Sequence, residues 1–120
     1  MGYISHDAVI AVTHDCRPGG LPDIEAFRAS LPEYLQPLVI GPIAAPLNGY
    51  VSYAFLPDGS KKGWDASNEA EQYRRRFSDL FETYADGTGS DDVAGVAFGG
   101  DHRSDHHHPI AYYVEKDLRA

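Results

Sequence analysis

The chain has a single cysteine, Cys16, and a single methionine and tryptophan among its 120 residues. One cysteine rules out an internal disulfide and any thiolate cluster able to hold zinc, and points to a reducing cytosol as the compartment. Positive charge is also scarce: 10 Lys and Arg face 18 Asp and Glu, a formal net charge of -8. A general binder of long nucleic acid normally carries a basic excess or stripe, so that class is excluded. A small anionic ligand is not, because a pocket needs only a few local cations and backbone N–H groups. Long hydrophobic runs are missing too. Residues 8–12 form the first apolar stretch, too short for a signal peptide and without a basic region before it. Nothing approaches transmembrane length, so no membrane partner is expected. The start Met1-Gly2-Tyr3-Ile4-Ser5-His6 misses the myristoylation pattern, its serine falling one position early.

What remains is ordinary globular composition, 42% hydrophobic, at a length that fits one domain over residues 1–120. A core of this size is only modestly stabilising, and self-association is a common remedy, so a homo-oligomer is expected. No repeat and no Ser/Gly-rich linker divides the chain.

The β-branched run Ala8-Val9-Ile10-Ala11-Val12-Thr13 is apolar on both faces and predicts a central strand covered on both sides. Turn chemistry follows in residues 14–20. A first helix is expected from Pro22-Asp23, with Ile24, Phe27 and Leu31 on one face and Pro32 ending it. Residues 37–46 hold prolines too densely for regular structure and read as an apolar loop. Residues 50–56 alternate, Val51, Tyr53 and Phe55 against Tyr50, Ser52 and Ala54, which predicts a strand. The strongest helix spans about residues 68–84, with Asn68 and Glu71 as a capping box and Tyr73, Phe77, Leu80, Phe81 and Tyr84 as the buried stripe. Residues 93–98 and 110–114 read as two strands joined by a polar loop. The expected fold is α+β: a mainly antiparallel sheet with two helices, in the order β-α-β-α-β-β.

One segment concentrates chemistry. Asn48-Gly49-Tyr50 is followed by Pro57-Asp58-Gly59-Ser60-Lys61-Lys62-Gly63-Trp64. Gly49 suggests an unusual φ or the close approach of another group. Turn N–H groups with Ser60, Lys61 and Lys62 could cradle an anion, and Trp64 could stack on a base. Asn48, Tyr50, Ser52 and Tyr53 would supply hydrogen bonds at the other end. Turn chemistry alone accounts for the same residues as architecture: Pro-Asp-Gly is a common turn, lysines solvate it, and a tryptophan before a helix is often a core staple.

Three pieces of the chain resemble a family of small phage and prophage proteins. These are residues 3–14, residues 48–53 and the 57–64 segment. The family opens on a Tyr-x-His-His-Ala-Ile-Val-Val-Thr-Ser-like strand. It continues with Asn-Gly-Tyr-x-Ser-Phe, then Pro-Asp-Gly-Ser-Lys-x-Gly-Trp, then a helix containing Arg and Phe. Residues 93–100 look like its late strand. Ser5 or His6 stands where the family has the first of its paired histidines, with Asp7 alongside, and the histidine-rich loop is outside the pattern. The resemblance implies a non-enzymatic immune-evasion sponge. Such an oligomer sequesters, without hydrolysis, the cyclic nucleotide signals of bacterial defence systems such as CBASS in the host cytoplasm. It implies ligand-binding roles for His6, Tyr50, Ser52, Lys61, Lys62, Trp64 and one of Arg74, Arg75 and Arg76, of which Arg75 is the choice.

The run Asp101-His102-Arg103-Ser104-Asp105-His106-His107-His108 invites a metal reading. Its spacing matches no metalloenzyme motif, and flexible histidine runs bind metals opportunistically, so no metal ligand and no cofactor is assigned. Thr13-His14-Asp15 resembles an acid–base pair without the second copy a paired His-x-Thr phosphoesterase requires. Cys16 beside Arg17 is placed to have a lowered thiol pKa, but no catalytic Cys–His system can be assembled. Three functions stay open. The first is a ligand-sequestering protein. The second is an inhibitor that binds a host protein through its acidic surface. The third is a small metal-dependent hydrolase using His6, His14 or the histidine run.

Overall fold

A computed structural model describes residues 4–81, 91–99 and 114–116. The fold is α+β. Strand β1 (His6–His14) leads to helix α1 (Ile24–Ala29), a 3-10 helix (Glu33–Leu38) and strands β2 (Val39–Ala44) and β3 (Tyr50–Phe55). Helix α2 (Asp65–Ser78) and strands β4 (Asp92–Phe98) and β5 (Val114–Lys116) complete it. The strands form one sheet in the order β2-β3-β1-β4-β5, and every neighbouring pair is antiparallel.

The apolar run of β1 takes the middle of the sheet, as its composition predicts, but among the described residues only one face is covered. Val9, Ala11 and Thr13 pair with Phe55, Tyr53 and Val51 and are buried beneath the helices. Ile10, one position out of phase, points to the other face and is 48% exposed. Both helices pack on the same side, so apolar residues on both faces do not imply two covering layers here.

The core is aromatic. Phe77 of α2 meets Phe27 of α1 at 5.8 Å, Phe55 of β3 at 5.9 Å and Phe81 at 5.4 Å between ring centroids. Tilted and edge-on geometries such as these suit the ring quadrupole. Tyr53 extends the cluster to Phe81, and its phenol is pushed above the ordinary tyrosine value, chiefly by burial.

Helix α1 starts where expected: the Asp23 carboxylate accepts from the Ala26 N–H at 3.0 Å. It is shorter than the pattern suggests, because Pro32 opens the separate 3-10 helix that buries Leu35. Tyr34 on that helix donates to Glu69 of α2, and this bond, ahead of burial, pushes its phenol up to about 12.

The expected loop over residues 37–46 is instead largely strand β2. Proline is tolerated because β2 is an edge strand, where one side of the backbone needs no ladder partner. Pro42 follows a cis peptide and falls within the register shift between Ile40 and Ile43, so its missing N–H interrupts no ladder bond.

Helix α2 begins three residues before the expected capping box. Trp64 is the N-cap residue and makes no side-chain cap bond, while Glu71 is turned to Arg74. The buried stripe runs through Ser67, Ala70, Arg74, Phe77 and Ser78; Tyr73 and Leu80 pack at its edge. Tyr84, the 102–108 histidine run and residues 110–113 lie outside the described residues. Among the described residues, no helix is long and apolar enough to cross a membrane.

Because Phe77 joins both helices to the sheet, Phe77→Ala is expected to destabilise the chain by about 3–5 kcal/mol. Urea denaturation should show this as a lower midpoint with an unchanged slope.

Candidate functional site

The antiparallel register sends the two halves of the central segment to opposite ends of the sheet. Tyr50 lies opposite His14 at the end of β1, whereas Lys61 bridges Ile4 ahead of its start. At about 3.3 Å per residue, that separation along β1 is roughly 33 Å. Asn48 and Tyr50 therefore cannot share one small ligand with Lys61 and Trp64, and Ser52 sits between them on the uncovered sheet face.

At the β1 start, the 57–64 segment is held from beneath by a buried ion network. Arg74 is only 2% exposed. Its Nε and Nη2 donate to Glu71 Oε2 at 3.2 and 3.0 Å. Nη2 also lies 3.6 Å from Asp7 Oδ2, and Nη1 lies 3.5 Å from Asp58 Oδ1. Lys62 Nζ donates to the same Asp7 carboxylate. One guanidinium thus ties β1, the 57–64 segment and α2 together, because its planar fork can face several carboxylates at once.

This sorts the expected ligand residues. Lys62 is committed to Asp7, so its charge is neutralised within the fold. Arg75 stays on the surface, 3.8 Å from Glu71, and Arg76 lies over the Tyr73 ring at 5.1 Å. The arginine brought to the segment is Arg74. Its inward direction was signalled by its place between Ala70 and Phe77 on one helical face, a signal obscured because arginine does not count as apolar. His6 leans on Phe98 with ring centroids 5.4 Å apart, beside Gly99, whose added Cβ would come within 2.9 Å of the imidazole.

Ser60, Lys61 and Trp64 stay at the surface or partly so. Trp64 is 52% exposed rather than a core staple, and Lys61 Nζ stands 5.8 Å from its ring centroid. That distance suits a cation–π contact. The pair sits at the start of α2, where unsatisfied N–H groups and the helix dipole favour negative charge, although Asp65 in the first turn offsets part of that.

The other end of β1 has its own buried cluster. Asp91 accepts from the Thr13 hydroxyl and pairs with Arg17 at 3.1 Å; Arg17 also donates to the Leu80 carbonyl at 3.1 Å. Arg17 is thereby turned inward, away from Cys16. The thiol environment is the reverse of that expected from sequence: Asp15, through a hydrogen bond and then its charge, pushes the Cys16 thiol above its ordinary value. Such a thiol is a poor nucleophile at neutral pH. Asn48 and Gly49 turn the chain between β2 and β3 with φ of 64° and 72°, and Tyr50 stands edge-on to His14 at 5.5 Å.

Comparison of the chain with protein-family models, with curated proteins and with solved structures finds no match.

Removing the Arg74 guanidinium would leave Asp7, Asp58 and Glu71 facing one another. Arg74→Met is expected to cost about 3–5 kcal/mol, as loss of one partner from a buried ion cluster does. Lys61→Met, at the surface, should stay within about 0.5 kcal/mol of the parent. Equal denaturation midpoints for the two variants would contradict the assignment.

Proposed function

We propose that the chain is a non-enzymatic binding protein for a small anionic ligand that carries an aromatic ring, a description that fits nucleotides. The observation that carries this reading is the half-exposed Trp64 with Lys61 above it at the start of α2. A base stacks on the indole, while Lys61, Ser60 and the first N–H groups of the helix meet phosphate. Base–aromatic stacking contributes about 1–3 kcal/mol per base. His6 lies two residues from the Ile4–Lys61 bridge and borders the same end of the sheet. The resemblance to the phage family supports a cyclic oligonucleotide as the ligand, held without hydrolysis in a host cytoplasm. Asn48, Tyr50, Ser52 and Arg75 are no part of this site, and Lys62 serves it only by fixing the loop.

Self-association is supported by the sheet face opposite the helices. Ile10, Ile43, Tyr50 and Phe98 there are 48%, 55%, 46% and 36% exposed. A second copy packed sheet to sheet would bury them about 10 Å from their counterparts.

Titration with cyclic di- and trinucleotides, followed by calorimetry and by the fluorescence of the sole tryptophan, tests the reading. Micromolar or tighter binding is expected, with the nucleotide recovered intact. Trp64→Ala and Lys61→Ala should each weaken binding about tenfold or more without loss of folded structure. Absence of binding across the panel, or turnover of the ligand, would refute it. Ile10→Asp should shift the chain toward monomer in sedimentation equilibrium.

A further inference from the structure

The Asn48–Tyr50 half of the central segment borders a different cluster. β1 ends on His14, and the turn that follows places Asp15 and Cys16 so that one donor atom from each of the three lies within 4.8 Å of the others. His14 Nδ1 is 3.2 Å from Asp15 Oδ1 and accepts the Cys16 backbone N–H at 3.0 Å. The Cys16 N–H engages the Nδ1 lone pair, while Nε2 borders the space beside Gly49.

Gly49 supplies an independent constraint. An added Cβ there would lie 3.0 Å from both His14 Nε2 and Asp15 Oδ1. The Gly49 carbonyl accepts the Asp15 N–H at 2.9 Å, which ties the β2–β3 hairpin to the turn. The hairpin therefore comes close to the His14 and Asp15 donors while keeping a side chain out of the space beside them.

The geometry points to a transition-metal site formed by the His14 imidazole, an Asp15 carboxylate oxygen and Cys16 Sγ, with Gly49 as its open wall. The donor set of one imidazole, one carboxylate and one thiolate suits Zn²⁺, Co²⁺ or Ni²⁺ and disfavours Mg²⁺ and Ca²⁺, which take oxygen. Three protein ligands leave the fourth tetrahedral position open to water or a further ligand. Binding releases the Cys16 thiol proton to solvent as the Sγ–metal bond forms. The site stands about 33 Å along β1 from the Ile4–Lys61 bridge, so it does not depend on the nucleotide reading.

Co²⁺ titration of the full chain tests this, because a thiolate-to-cobalt charge-transfer band in the near ultraviolet can arise only from the sole cysteine. The 102–108 histidines cannot produce it. A band saturating at one equivalent is expected for the parent chain and for a variant with His102, His106, His107 and His108 changed to Ala. It should vanish in Cys16→Ser. His14→Ala and Asp15→Asn should each lower Co²⁺ affinity tenfold or more while circular dichroism stays unchanged, and Trp64→Ala should leave the titration unaltered. No band in the parent chain overturns the proposal. So does a band whose affinity is untouched by both His14→Ala and Asp15→Asn, since that is a cysteine binding metal alone.

Discussion

The guanidinium of Arg74 is the point on which the rest of the arrangement depends. It is buried among Asp7, Asp58 and Glu71, with Lys62 sharing Asp7. Charges taken out of water are costly unless their partners are well placed, so this cluster constrains geometry as much as it stabilises. It sets the start of β1, the segment after β3 and the face of α2 relative to one another. That frame holds Lys61 and Trp64 at the start of the helix. The Thr13–Asp91–Arg17 cluster does the same for the other end of β1. The central strand is thus pinned by buried polar clusters at both ends and by aromatic packing between them.

The same arrangement explains why one contiguous segment serves two ends of the molecule. β3 crosses the sheet between its Asn48–Tyr50 half and its 57–64 half. The first half meets His14 and Asp15. The second meets Ile4, Asp7 and Arg74. Its polar residues divide accordingly. Asp58 and Lys62 build the frame, while Lys61 and Trp64 are left at the surface.

Much of the fold was legible where local pattern and tertiary demand agree. The β3 alternation matches its burial residue for residue, because an antiparallel strand with one helix-covered face must alternate. Asp23 caps α1 as its position suggests. Strand β2 was hidden because its prolines argue against a strand unless it is known to lie at an edge with a bulge. The start of α2 was misplaced because Asn68 and Glu71 imitate a capping box, yet Glu71 is taken by Arg74. The one-sided covering of β1 was hidden too, since Ile10 reads as core whether or not anything packs on it. For the candidate sites, Trp64, Lys61 and Gly49 stood out from type and turn chemistry. Asp7, Asp58, Glu71 and Arg74 did not, because what assembles them is contact across 16 residues, between Asp58 and Arg74, and across 67, between Asp7 and Arg74.

For the central segment, the amino-acid sequence by itself determined the strand at Tyr50–Phe55 and the need for a bare backbone at Gly49, whereas the turn expected at Pro57-Asp58-Gly59 is irregular chain and the hydrogen-bonded turn forms at Lys61–Trp64. The strand and the bare backbone follow from two-residue periodicity and φ preferences, which act locally. Only the tertiary structure decided which lysine is spent on the frame, which arginine turns inward, and that Asn48 and Trp64 face different neighbours. Those outcomes depend on antiparallel pairing with β1, which brings residues distant in sequence within hydrogen-bonding range and sends residues close in sequence to opposite ends of a strand.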